Sequence, residues 1–296
     1  MTTTKISSPR SSLEDGYIIW RSLDSFLPDV KCPSDQSPGN SFCEIPFSNF
    51  PVRGANYLKD GKKYPSTEYV ANLECAEMFS IPRSDSSYIT QGHTYYTGAE
   101  HWKNDGRFHM AVIMELPLKN HSKAEQYNFD CKNYSCCVAS YHTFDPAIVE
   151  SNLPFKNLFD IFSSPDCTEE WLNSHLKYVP KIVAGGWLLK KMVNNKPVIM
   201  GNKVDCSYYR HPETNTLECI YRVVSNSTAV KCVNLAYGCI DSLQYDFAWI
   251  LEGKETTELP EVAMCGARIC KLDPKNSRLA LLEPRMNFDN SDEDAE

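Results

Sequence analysis

The sequence predicts an α+β fold: a curved, mainly antiparallel sheet with helices packed on one face. Three observations carry that expectation. Several segments alternate apolar and polar residues with period two, the mark of a half-buried strand. Three other segments repeat apolar residues at i, i+3, i+4, the mark of a helix with one buried stripe. The two kinds follow one another without regular alternation, and one-sided strands favour antiparallel pairing, because parallel strands are usually apolar on both faces.

The elements follow in chain order. Residues 71–79 read as a short strand. Phe108, Met110, Val112, Met114, Leu116 and Leu118 share one strand face, with His109 and Glu115 on the other. Val138, Ser140, His142 and Phe144 alternate more weakly. Phe155, Leu158, Phe159 and Phe162 give the first helical stripe, with Pro154 in the first turn and Asn152 or Leu153 in the cap region. Trp171, Leu172, His175, Leu176 and Val179 give a second stripe, started at Ser164-Pro165. Leu217, Cys219, Tyr221 and Val223 alternate with Glu218 and Arg222. Val230, Val233, Tyr237 and Ile240 form the third stripe, capped by Asn226 or Ser227. Leu243, Tyr245, Phe247, Trp249 and Leu251 line a strand face opposite Gln244 and Asp246. A short turn near Leu259-Pro260-Glu261 and a strand over 266–272 complete the pattern.

This arrangement fits one domain over 17–276, after a disordered lead (1–16) and before a flexible acidic tail (277–296). Residues 32–46, rich in Pro and polar residues, read as an extended loop. The 296 residues are 42% hydrophobic and 11% aromatic, which excludes a wholly disordered chain. The net charge of −8 argues against nucleic-acid binding. Asp289, Asp292, Glu293, Asp294 and Glu296 supply five of those charges, so without them the net is −3 and the body has room for a local basic patch.

The first twelve residues hold seven Ser or Thr and no apolar stretch of signal-peptide length. No run approaches the ~18 apolar residues of a membrane span. The expected location is therefore cytoplasmic, peripheral at membranes at most, and the Asn-x-Ser/Thr matches at Asn120, Asn133 and Asn226 are chance. In that reducing setting the 13 cysteines are expected to be thiols packed as small hydrophobes. None stands in Cys-x-x-Cys spacing, so no metal site is expected.

Motifs for dinucleotide, P-loop or nucleophile-elbow chemistry are missing, and no cofactor is expected. The seven histidines are scattered, and His175 within an apolar stripe reads as a hydrogen-bonded core residue. Cys137 with His142 is one arbitrary choice of a thiol–imidazole pair. The most informative stretch is residues 50–65, where Arg53, Lys59, Lys62 and Lys63 stand beside Tyr57 and Tyr64 among the turn formers Gly54, Asn56 and Asp60-Gly61. Basic residues interleaved with rings suit a phosphate headgroup at an interface, although spacing alone fits solvated lysines on a strand-edge loop as well. Trp187, after Gly185-Gly186, is either a core anchor or an interface residue.

Residues 52–65 and 176–187 also carry a resemblance. Val52-Arg53-Gly54-x-Asn56-Tyr57-Leu58-x-Asp60-x-Lys62-Lys63-x-Pro65 and Leu176-Lys177-x-Val179-Pro180-x-Ile182-Val183-x-Gly185-x-Trp187 are joined by Lys196-Pro197-x-x-x-Gly201, Leu217-Glu218, Asp246-Phe247, Glu258-Leu259-Pro260-Glu261 and Gly266-x-Arg268. In this order and spacing, over about 47 to 273, the chain resembles the C-terminal domain of the Enhanced Disease Resistance 2 family. Gly186 departs from the Pro that the family often has before the Trp. In plant members this domain often follows pleckstrin-homology and START domains, and the whole proteins look like lipid- and phosphoinositide-linked regulators of cell death and defence. Only about 46 residues precede the matched stretch here, fewer than either upstream domain needs. The family supplies no catalytic residues to carry over.

The resemblance and the basic cluster together imply a non-enzymatic binding module for a lipid or phosphoinositide. Its candidate headgroup residues are Arg53, Asn56, Tyr57, Lys59, Lys62, Lys63 and Trp187, and peripheral membrane contact is expected. Two rival readings stand beside it: a protein-interaction scaffold without a small-molecule site, and a thiol-dependent hydrolase. The sequence identifies no protein partner.

Overall fold

A computed structural model describes residues 20–21, 26–27, 41–67, 69–82, 102–117, 134–194 and 196–271. The class is α+β and most strand pairs are antiparallel. The strands fall into two six-stranded sheets and one small hairpin, a division the alternation pattern does not reveal. The predicted lead (1–16) and tail (277–296) lie outside the described residues.

In chain order the strands are β1 (Trp20–Arg21), β2 (Phe26–Leu27), β3 (Ser41–Cys43), β4 (Pro51–Arg53), β5 (Lys63–Pro65), β6 (Ala71–Pro82), β7 (His109–Leu116), β8 (Tyr134–Phe144), β9 (Leu176–Ala184), β10 (Val198–Ile199), β11 (Asp205–His211), β12 (Thr216–Arg222), β13 (Gln244–Leu251) and β14 (Cys265–Cys270). The helices are α1 (Tyr57–Asp60), α2 (Pro146–Ser151), α3 (Leu153–Ser163), α4 (Glu169–His175), α5 (Trp187–Val193) and α6 (Ser227–Tyr237). The first sheet runs β1-β6-β8-β7-β12-β11 and the second β10-β9-β13-β14-β3-β2. Within the first, β7 and β12 are parallel.

The core forms where the two sheets face each other. Met110, Val112, Leu217, Cys219 and Tyr221 from the first sheet join Tyr178, Phe247, Trp249, Cys265 and Ala267 from the second in one buried cluster. These are the apolar halves of the alternating strands, so the period-two pattern is read out as facing layers. The amphipathic α3 presses Phe155, Leu158 and Phe162 into the same cluster. Its Phe159 and Phe162 meet Phe108 and Phe144 edge-on or tilted, where β7 begins and β8 ends.

The caps explain the helix starts. Asn152 accepts from Phe155 N–H at 3.1 Å, and Asn226 accepts from Thr228 and Ala229 N–H at 3.0 Å each. The second stripe fares differently. The helix is capped by Thr168, which accepts from Trp171 N–H, rather than started at Ser164. It ends at His175, and Leu176 to Ala184 become β9. Pairing with β13 along that whole length outweighs the helical spacing that carried the stripe through Val179. Pro180 fits because β10 pairs only Lys177 and Tyr178, leaving β9 an edge strand beyond them. The 32–46 loop contains a short strand, β3. The turn near 259–261 is a 3-10 turn at Thr256–Glu258.

His175 is a hydrogen-bonded core histidine, its Nδ1 2.8 Å from the Trp171 carbonyl and its ring stacked on Trp171. Among the described residues, Cys137, Cys219, Cys265 and Cys270 are buried, while Cys167, Cys206, Cys232 and Cys239 are partly exposed, all as free thiols. Cysteine burial is therefore only half as general as expected. Burial pushes the Cys206 thiol up to about 11 and Cys219 higher still, so both stay protonated.

His142 is fully buried in the core layer, opposite Leu73 and Met110. Desolvation pulls its pKa down to about 3. The folded chain keeps it neutral while the unfolded chain binds a proton below its ordinary value. Its stabilising contribution is thus present above pH 6.5 and is lost as pH falls toward about 3. Between pH 7 and pH 5 this one group costs about 2 kcal/mol. Urea denaturation at both pH values checks it: His142→Gln should lose about 2 kcal/mol less than wild type on acidification.

Candidate functional site

Residues 50–65 fold as a hairpin over the far face of the second sheet. β4 and β5 pair antiparallel with Val52 opposite Tyr64 and Arg53 opposite Lys63. The crossing is closed by the single turn of α1. Gly61 ends that turn in the left-handed region at φ 65°, its N–H donating to Tyr57 O. Asp60 then accepts from Lys62 N–H at 2.9 Å. Gly54 has a packing reason as well: a Cβ there would stand 2.6 Å from the Tyr64 ring. Phe47, Phe50 and Val52 bury themselves against Val179, Ala248, Ile250 and Ala263, the outward side of β9 and β13.

Arg53 does not reach solvent as a free headgroup ligand. Its Nη1 donates to Gly253 O at 2.7 Å, and its Nη2 lies 3.2 Å from Glu252. Its Nε lies 3.7 Å from the fully buried Glu261, and its guanidinium sits 4.8 Å over the Tyr57 ring. Glu261 also receives Lys177 Nζ at 2.5 Å, Arg53 N–H at 2.9 Å and Gly253 N–H at 3.1 Å. Lys177 stands 3.5 Å from Glu252. Desolvation pulls the Lys177 pKa down, and the Glu261 charge opposes that shift. Two cations and two carboxylates therefore form one charge-balanced clamp, buried at Lys177 and Glu261 and partly exposed at Arg53 and Glu252, that ties the hairpin base to the sheet.

Beyond the clamp the tip is open. Asn56, Lys59, Lys62 and Lys63 are exposed, and Tyr57 is half-buried under Arg53. Two apolar side chains stand among the lysines in water, Leu58 and Tyr64, each 52% exposed. Trp187 does not join them. It opens α5 after the far end of β9, roughly 25 Å along the strand from Lys177. There it is 74% exposed, an outward residue rather than a core anchor, with Leu188 beside it. The candidate headgroup set is thus split: Asn56, Tyr57, Lys59, Lys62 and Lys63 share the hairpin, Arg53 lies in its clamp, and Trp187 sits elsewhere.

The other sequence candidates resolve similarly. Cys137 and His142 are five residues apart on β8 and so point to opposite faces of the sheet. Among the described residues, no group of three His, Cys, Asp or Glu side chains stands close enough to hold a metal. None of the described helices is long and apolar enough to cross a membrane. The clamp partners Lys177, Glu252 and Glu261 escaped the search for binding residues. The available signal was a charged residue embedded in a strand or beside a Leu-Pro step, and both Lys177 and Glu261 lie inside the shared motifs. A further pair behaves the same way. Arg268 donates to Asp246 from Nε at 2.6 Å and from Nη2 at 2.9 Å, both residues buried. Gly266, also in a shared motif, sits where a Cβ would collide with the Phe247 carbonyl.

Comparison with known proteins identifies the family. The family model described as Protein ENHANCED DISEASE RESISTANCE 2, C-terminal, matches residues 42–273. The chain is similar to a protein named ENHANCED DISEASE RESISTANCE 2-like from Arabidopsis thaliana, 26% identical over 252 residues, which covers 85% of this chain and 31% of that one. It therefore spans under a third of that relative's length. No solved structure matches.

Proposed function

From the premise that the chain belongs to the ENHANCED DISEASE RESISTANCE 2 C-terminal family, we propose that it is a non-enzymatic binding module whose hairpin docks on an anionic lipid surface and takes a phosphoinositide headgroup. One observation carries the reading: a hairpin clamped at its base presents Leu58 and Tyr64 half-exposed beside Lys59, Lys62 and Lys63. Apolar tips enter the headgroup region while the lysines meet phosphate, and the clamp means that little chain order is lost on docking. Arg53 supports this tip from below rather than touching the ligand.

Co-sedimentation with phosphatidylcholine vesicles, with and without a phosphatidylinositol phosphate, tests it. Each lysine near an anionic surface is worth about 1 kcal/mol, so Lys59→Ala, Lys62→Ala and Lys63→Ala together should weaken binding roughly 100-fold. Wild-type binding should also fall as salt rises. Equal sedimentation of wild type and triple variant would sink the proposal.

A second reading, a protein-interaction domain, draws on the Trp187–Leu188 pair, exposed 74% and 43%. Loss of a captured partner on Trp187→Ala, with vesicle binding intact, would favour it.

A further inference from the structure

Helix α5 turns an apolar pair outward. Of its residues only Leu189 is buried, packed with Ile182 of β9 and with Leu243. Trp187 is 74% exposed and Leu188 43%. Lys191, also exposed, stands one turn beyond Trp187 and so on the same side of the helix. Lys196 follows, its Nζ donating to the Lys191 carbonyl at 3.0 Å. Among the described residues neither Lys191 nor Lys196 meets a carboxylate at ion-pair distance. Helical spacing thus makes one contiguous patch, an indole and a leucine edged by two cations, and an exposed apolar patch with a polar rim marks an interaction site.

The last described residue lies beside this patch. β14 ends at Cys270, opposite Gln244, which faces Ala184 at the end of β9. Lys271 N–H then donates to the Leu243 carbonyl at 2.6 Å. A Cβ on Gly185 would stand 3.1 Å from Leu243 Cδ1. Leu243 therefore touches both Lys271 and the turn that opens into Trp187.

The sequence that follows matches the patch in chemistry. Residues 272–296 lie outside the described residues. They place Leu281, Leu282, Met286 and Phe288 ahead of five carboxylates within 289–296. Apolar side chains followed by acids complement Trp187 and Leu188 followed by Lys191 and Lys196. No other stretch outside the described residues holds more than two acidic residues. From Lys271 to residue 279 the chain reaches up to about 27 Å, enough to arrive at α5 without crossing the sheet. A short tether gives an effective concentration in the millimolar range, so a contact too weak to hold a free peptide is occupied within one chain. The hairpin lysines stand at the other end of β9.

We propose that α5 is the docking site for the chain's own segment 279–296. Its apolar side chains cover Trp187 and Leu188, and its carboxylates lie against Lys191 and Lys196. A separate protein would reach the patch only by displacing this segment. The docking is independent of the hairpin and of what the hairpin binds.

Zero-length carbodiimide cross-linking of the dilute full chain, read by peptide mass mapping, tests it. Lys191 or Lys196 should join carboxylates of 289–296 within one chain, in a yield that does not change with protein concentration. Hydrogen–deuterium exchange should show residues 279–288 protected. Trp187→Ala with Leu188→Ala should cut that protection about tenfold, and Leu281→Ser with Leu282→Ser should do the same from the other side of the contact. Trp187 and Leu188 stand in no core cluster of described residues, and Lys191→Glu with Lys196→Glu is a further variant that should lose the cross-links. Cross-links to Lys59, Lys62 or Lys63 in place of the α5 lysines would put the segment on the hairpin and overturn the proposal. So would cross-links formed only between chains, which mean a second copy. Exchange of 279–288 at the rate of a free peptide, or equal protection in wild type and variants, would overturn it as well. None of these variants alters the hairpin, so vesicle co-sedimentation fails or succeeds separately.

Discussion

Glu261→Gln should destabilise the protein by about 3–5 kcal/mol, a large part of the 5–15 kcal/mol that holds a typical domain folded. The Glu261 carboxylate is fully buried and receives Lys177 Nζ, Arg53 N–H and Gly253 N–H. An amide keeps one acceptor oxygen but removes the charge and turns an N–H₂ toward two cations. Lys177, almost as buried, is then balanced only by Glu252, 3.5 Å away and partly in water. Urea denaturation measures the loss. A double variant, Glu261→Gln with Lys177→Met, should recover most of it, since removing both members of a buried pair is far cheaper than removing one. The same variant informs function. If the hairpin works because it is held rigid, Glu261→Gln should weaken vesicle binding even with Lys59, Lys62 and Lys63 in place. Unchanged stability would mean that the clamp does not hold the hairpin.

Asp246→Asn is the second large effect, again about 3–5 kcal/mol. Here the carboxylate is bidentate to the Arg268 guanidinium, at 2.6 and 2.9 Å, across the register pair that joins β13 to β14. Asparagine offers one acceptor and, on its other side, a donor facing a donor. Thermal and urea unfolding should show the loss, and Asp246→Leu with Arg268→Met should restore stability to within about 1 kcal/mol of wild type or above it. This pair lies in the middle of the second sheet, away from the hairpin clamp at the far end of β13. The two destabilisations should therefore be additive, within about 0.5 kcal/mol. Strong coupling between them would mean that the hairpin and the sheet centre respond as one unit.

The two pairs give a physical meaning to the residues that mark the family. Arg53, Lys177 and Glu261 stand in three separate motifs and meet in one clamp. Asp246 and Arg268 stand in two more and meet as one pair. Gly54 and Gly266 admit a ring and a carbonyl that a side chain would exclude. These motifs specify how the hairpin and strands fit, and the surface left for binding is the small exposed tip between them. Reading Arg53 as a headgroup ligand followed from its neighbours in sequence. Its partners lie about 200 residues away, at Glu252, Gly253 and Glu261, so no local spacing reveals them.

The elements were legible where apolar and polar residues alternate, as in β7, β12, β13 and α3, although in the three strands both faces are covered and their polar residues are buried too. β9 was not, because its apolar and β-branched residues also fit a helical stripe until β13 pairs with them. The sequence by itself determined the α+β class, the family, helix starts at Asn152 or Leu153 and at Asn226 or Ser227, and the basic, aromatic character of residues 53–64; the structure picks Asn152 and Asn226 as the caps. Only the tertiary structure decided that the strands form two facing sheets and that Arg53 is locked inward while Lys59, Lys62 and Lys63 stay free. It also decided that Trp187 is exposed at the opposite end, and that Tyr178, Tyr221 and Trp249 pack ring against ring between the sheets. The physical reason is range: periodicity and caps are settled between residues a turn or a strand apart, whereas the partner of a buried charge or donor is set by strand register across the whole chain.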